Sequence, residues 1–177
     1  MIPEEQVDPG LAMELNLTDA ELLTILREGA EEVFMMLGSV GKIVDESHGA
    51  DGSGENPYAA MADMAYEVMV EFTGPLGGVV VMRCQEFCAK SITRGMLMID
   101  DSEPLGQAAI YDALGECTNM LGGYFKRQAL DPRGTFRLGI PQTAKYAVTA
   151  NADVHGSLIY ELSDSRASVE VWLDGQK

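Results

Sequence analysis

Apolar residues recur at helical spacing between residues 19 and 40, where Leu22, Ile25, Leu26, Val33 and Met36, with Gly29, form one stripe. Thr18 followed three positions later by Glu21 has the form of a capping box that starts this helix, and Gly38 and Gly41 frame its exit. Residues 1–17 hold two prolines and little periodicity, which predicts a loosely held lead-in before a single domain over 18–177. The stretch 45–57 is polar and glycine-rich, so a loop is expected there. Residues 64–73 alternate in part and are rich in β formers, Gly74 to Gly77 supply a turn, and 78–83 reads as the returning strand of a hairpin. A helix over 85–97 would turn Phe87, Ile92 and Met96 inward, and a longer one runs from Pro104 to about 129. Strands are expected at 135–140, 144–152, 156–163 and 167–173, with turns at Gly156 and at Ser163–Ser165. Helices grouped apart from strands predict an α+β fold, helices laid on an antiparallel sheet.

The longest helix carries the most information. On a 3.6-residue wheel Ile110, Leu114, Cys117, Leu121 and Tyr124 share a face assigned to the core. Asp112, Glu116 and Asn119, at i, i+4 and i+7, share the opposite face. Gly115, Thr118, Gly122 and Gly123 flank that polar trio. Glycine inside a helix is unfavourable by about 1 kcal/mol relative to alanine, so these residues point to close approach by another surface or to tight internal packing. The first helix repeats the spacing with Thr24, Glu28 and Glu31 opposite its own apolar stripe, and β-rich sequence follows both helices. That pattern is consistent with an internal half-repeat.

Charge narrows the function. With 28 acidic against 12 basic residues the net charge is −16, which removes the basic footprint that nucleic acid requires and disfavours an anionic membrane surface. A partner presenting lysine or arginine is favoured. No run of 18 apolar residues is present, the beginning MIPEEQVDPG lacks an apolar signal core, and three cysteines suit a reducing compartment, so a cytoplasmic location is expected. Cys84, Cys88 and Cys117 read as core residues, and no metal site is expected. His48 and His155 have no nucleophile or ligand set in sequence reach, no phosphate-cradling glycine loop precedes a helix, and Trp172 reads as a core or dimer-interface residue.

Asp112, Glu116 and Asn119, followed just over twenty positions later by Pro141, resemble the signature of the CheC/CheX/FliY phosphatases of bacterial chemotaxis. The runs REGAEEVFMMLG, GPLGGVVVM and DALGECTNMLGGYFK are most similar to the CheX branch, and the likeness spans about residues 18 to 150. The resemblance implies a pseudo-twofold domain with two long helices and a shorter one across an antiparallel sheet. It implies hydrolysis of the aspartyl phosphate of a CheY-like response regulator, and a homodimer. By the same resemblance Glu116 pairs with the regulator's active-site lysine and Asn119 positions the attacking water. Asp112, Gly115 and Gly123 support docking, and Pro141 is a structural marker. Thr24, Glu28 and Glu31 form a degenerate second site, since Glu31 stands where a second asparagine is needed. No cofactor of its own is implied, only Mg²⁺ in the regulator's site. The alternative is an acidic adaptor that binds a regulator without hydrolysis.

Overall fold

Helix α1 (Asp19–Met36) begins at the predicted capping box. Glu21 N donates to Thr18 Oγ1 at 3.3 Å, and Thr18 N donates to Glu21 Oε2 at 2.8 Å. The computed structural model describes six stretches of the chain, residues 17–38, 41–48, 63–130, 134–143, 152–162 and 164–174. They contain strands β1 (Lys42–His48), β2 (Tyr66–Thr73) and β3 (Gly78–Cys84), and helices α2 (Glu86–Leu97) and α3 (Gln107–Phe125). A π-helical turn at Lys126–Leu130 extends α3. Strands β4 (Arg137–Leu138), β5 (Gln142–Thr143), β6 (Ala152–Leu162) and β7 (Ser165–Asp174) follow.

The strands form one antiparallel sheet in the order β1-β6-β7-β3-β2-β4, with β5 also on β2. Three helices lie on one face of it, an α+β architecture. Alternation decides the layers: Val68, Phe72, Val80, Met82, Leu158, Tyr160, Val169 and Val171 point to the helices and join Leu22, Leu26, Ile92, Leu114 and Leu121 in one core.

The opposite face carries a smaller apolar group, Val79, Val81 and Trp172, beside a polar network. Glu170 is fully buried there. It accepts from Ser168 Oγ at 3.0 Å and Trp172 Nε1 at 3.1 Å, and it pairs with Arg83, which also reaches Glu67. Burial opposes the Arg83 charge, but the two carboxylates outweigh it and raise its pKa. Trp172 thus serves as a buried donor on the face away from the helices.

Several expectations are corrected. Residues 42–48 form strand β1, which overlaps the loop expected at 45–57, because backbone pairing with β6 from Lys42↔Glu161 to His48↔Gly156 needs no apolar alternation. Residues 49–62 lie outside the described part, as do 1–16 and 144–151. Gly156 is not a turn. It pairs with Val171 inside β6, where an added Cβ would stand 2.7 Å from Leu22 Cδ2, so glycine lets α1 approach the sheet. Helix α1 stops at Met36, short of 40, with Gly38 at φ +68° just beyond. Met36 and Phe87 are 59% and 60% exposed, and Phe34, adjacent to the expected stripe, is buried instead. Helix α3 starts at Gln107, three residues after the expected position, because Arg94 holds the preceding turn: its Nη2 donates to Asp101 O at 3.0 Å and Glu103 O at 3.3 Å.

Arg83→Met should leave Glu170 buried without its cationic partner and lower stability by about 3 kcal/mol or more. Urea unfolding measures this, and an unchanged midpoint would show that the network contributes nothing.

Candidate active site on helix α3

Helix α3 buries Ile110, Leu114, Cys117, Leu121 and Phe125 against the sheet. The opposite stripe then faces outward. Asp112 and Glu116 are exposed and Asn119 is half-buried, as their shared wheel face predicts. Among the described residues none of the three has a hydrogen-bond or ion-pair partner.

The small residues beside them divide. Gly115 is buried, and an added Cβ would stand 3.1 Å from Pro141 Cβ. Pro141 is held there by the segment that runs along the edge of β2, where Gly139 N donates to Glu71 O at 2.7 Å and Gln142 and Thr143 pair with Met69 and Val68. Gly115 is therefore packed beneath the chain's own proline and supports the site from below. Gly122 packs on Leu138 and Val70, and Thr118 Oγ1 donates to Leu114 O at 2.7 Å. Gly123 differs: it lies on the outward stripe, and its nearest neighbour, Leu138 Cδ1, is 4.0 Å from where a Cβ would stand.

Packing of the 139–143 segment against α3 leaves a cleft of about 350 Å³, lined by Val68, Tyr111, Asp112, Gly115, Glu116, Pro141, Gln142 and Thr143. Sequence reasoning named Asp112, Gly115, Glu116 and Pro141 and missed the other four. Tyr111 was legible, since it stands at i, i+4 with Gly115, and Gln142 and Thr143 directly follow Pro141. The lining holds two carboxylates and no basic residue. It can attract a cation and offers no electrostatic hold on a free phosphate.

Cys117 sits behind Glu116, with its Sγ 3.8 Å from Met96 Sδ. Burial, reinforced by the Glu116 charge, pushes its thiol up to about 12, so it is not a nucleophile at neutral pH. Cys84 is likewise raised, by a hydrogen bond with Cys88 and by burial. Among the described residues no three His, Cys, Asp or Glu side chains gather as a metal site would require.

The first-helix trio is exposed on α1 and stands apart from this cleft. Thr24 Oγ1 donates to Ala20 O at 2.8 Å, and Glu28 accepts from Tyr124 Oη at 3.0 Å. Tyr124 was expected in the core. Its ring instead lies across Gly29 of α1, 2.9 Å from where a Cβ would stand, with the Arg127 guanidinium 5.2 Å from the ring centroid. Burial and the Glu28 carboxylate raise its hydroxyl pKa. Glu28 is thus engaged by the chain's own second long helix, and Glu31 remains exposed.

The family model for the chemotaxis phosphatase CheX matches residues 66–161, more than half of the chain and the part that contains α3 and the cleft. The chain belongs to the CheX family. The fold agrees with solved relatives. A CheX protein from Desulfovibrio desulfuricans superposes with a TM-score of 0.66 at 20% identity, covering 87% of this chain and 99% of its own. A CheC-like superfamily protein from Shewanella sp. PV-4 gives 0.68 at 16% identity over 89% and 100%. CheX from Borrelia burgdorferi, solved in complex with CheY, BeF₃ and Mg²⁺, gives 0.64 at 14% identity over 86% and 97%. Comparison with curated protein sequences finds no match. Among the described residues no helix is long and apolar enough to cross a membrane.

The two CheX-helix glycines make opposite predictions. Gly115→Ala should press on Pro141 and lose more there than the helix backbone gains, a net destabilisation of about 1 kcal/mol. Gly123→Ala has open space and should stabilise by about 0.5–1 kcal/mol through the helix backbone. Thermal unfolding of the two variants beside wild type checks the contrast.

Proposed function

We propose that the protein is a phosphatase that hydrolyses the aspartyl phosphate of a CheY-like response regulator. The observation that carries this reading is the outward Glu116–Asn119 pair on α3, without internal partners, in a chain of the CheX family. The Borrelia relative solved with CheY supports a regulator of that type as partner.

An acyl phosphate has a good leaving group, and the regulator brings its own Mg²⁺ and lysine to balance charge on the phosphoryl oxygens. What the phosphatase must add is orientation. In this reading Glu116 docks on that lysine, a charge-assisted contact that fixes the approach of α3. Asn119 enters beside the phosphoryl group, where its amide both donates to and accepts from a water and holds it in line with phosphorus. A carboxylate at that position would be repelled by the phosphoryl oxygens. The same division of labour appears where a glutamine positions water for GTP hydrolysis. Open backbone at Gly123 lets the partner come close one turn beyond Asn119. Thr24, Glu28 and Glu31 form an inactive counterpart, consistent with Glu28 being held by Tyr124. The protein needs no cofactor of its own, works in the cytoplasm with its regulator, and is a homodimer.

The test is phosphate release from a purified phosphorylated CheY-like regulator. Wild type should accelerate it, and Asn119→Ala should lose about a hundredfold or more of that acceleration while still binding the regulator. Glu116→Lys should weaken binding and lose the salt dependence of wild type. Binding by wild type with no acceleration would overturn the phosphatase and leave an acidic adaptor.

A further inference from the structure

Asn119 does not line the cleft beside Glu116. Glu116 forms its near edge, and from there the cleft extends away from Asn119, past Asp112 and Tyr111 toward the short strand β5. A regulator whose phosphorylation site sits over Asn119 therefore leaves the cleft to some other part of its surface.

The lining states what that part must be. One wall carries Asp112 and Glu116, side by side one turn apart on α3, like charges without a cation partner among the described residues. Val68, Tyr111 and Pro141 give apolar surface, and Gln142 and Thr143 complete the opposite wall. The Tyr111 ring is fixed by an edge contact with Tyr66, centroids 5.4 Å apart and planes at 70°. A basic side chain matches this combination: its aliphatic stem packs on Val68, Tyr111 and Pro141 while its head meets a carboxylate. An acidic or purely apolar residue leaves the carboxylates repelled or desolvated.

We infer that the cleft is a second subsite, which takes a lysine or arginine from the regulator's surface outside its phosphorylation site, and that Asp112 makes the protein selective among regulators. This rests on the reading of Glu116 and Asn119 as the regulator-facing pair. Glu116 is committed to that pair, so Asp112 is the carboxylate left for the second contact. Regulators that share the same phosphorylation chemistry differ on their surfaces, and discrimination among them is a difference of affinities that such a contact supplies.

The experiment is steady-state dephosphorylation of a CheY-like regulator, phosphorylated with a small-molecule donor in Mg²⁺, by wild type and four exposed-site variants. Asp112→Asn keeps size and removes the charge; it should raise KM about five- to tenfold with kcat unchanged. Asp112→Glu should restore KM to near wild type. Gln142→Arg, which puts a cation into the cleft from its other wall, should raise KM as Asp112→Asn does. Glu32→Gln removes one charge from the exposed side of α1 and should leave both constants alone. Wild-type KM in Asp112→Asn, a loss in kcat alone, or an equal rise in KM for Glu32→Gln would each overturn the subsite. Absence of any acceleration by wild type would instead remove the phosphatase reading and the subsite with it, so the two failures are told apart.

Discussion

Burial of one stripe of α3 against the sheet decides which of its residues meet the solvent. Ile110, Leu114, Leu121 and Phe125 are each almost fully buried, and each contributes about 1.5–3 kcal/mol by leaving water. A roll of the helix that turned Glu116 inward would forfeit much of that and bury an unpaired carboxylate. The roll is further held on both flanks. Pro141 sits on Gly115 and Leu138 on Gly122 along one side, and Tyr124 bridges to Gly29 and Glu28 of α1 along the other. Asp112, Glu116, Asn119 and Gly123 remain along the outward stripe.

That arrangement suits a protein whose reaction is completed by its partner. The outward stripe has no lysine, arginine or histidine, the thiol behind it is pushed to about 12, and the cleft beside it is acidic. On the proposed reading such a surface recruits a basic partner and orients it. On the proposed reading it contributes one amide to the reaction, and rigidity of α3 matters more than acid–base strength. The chain's net charge of −16 would act in the same direction, drawing a basic surface in at longer range.

Much of this was legible in the sequence because it depends on local periodicity. The capping box at Thr18, the hairpin around Gly74–Gly77, helix α2 and the polar face of α3 all follow from spacing within one element. What escaped depends on contacts between distant segments. Strand β1 is an edge strand defined by its pairing with β6, and nothing in its polar sequence announces that partner. Gly156 reads as punctuation in one dimension and as a close-approach point for Leu22 in three. Tyr124 fits the apolar stripe of α3 on a wheel, yet the glycine that receives it lies on another helix. The cleft was half legible: its α3 wall comes from one helix face, while Val68, Gln142 and Thr143 join it through strand pairing.

The most direct measurement is a titration of isotope-labelled protein with a CheY-like regulator carrying beryllofluoride and Mg²⁺, followed by NMR of the side-chain amides and backbone. The Asn119 side-chain amide and the backbone of Glu116 through Gly123 should shift most, with Thr24, Glu28 and Glu31 on α1 unperturbed. Perturbation centred on α1, or on the Glu170 and Trp172 face of the sheet with Asn119 unmoved, would contradict the assignment of α3 as the working surface.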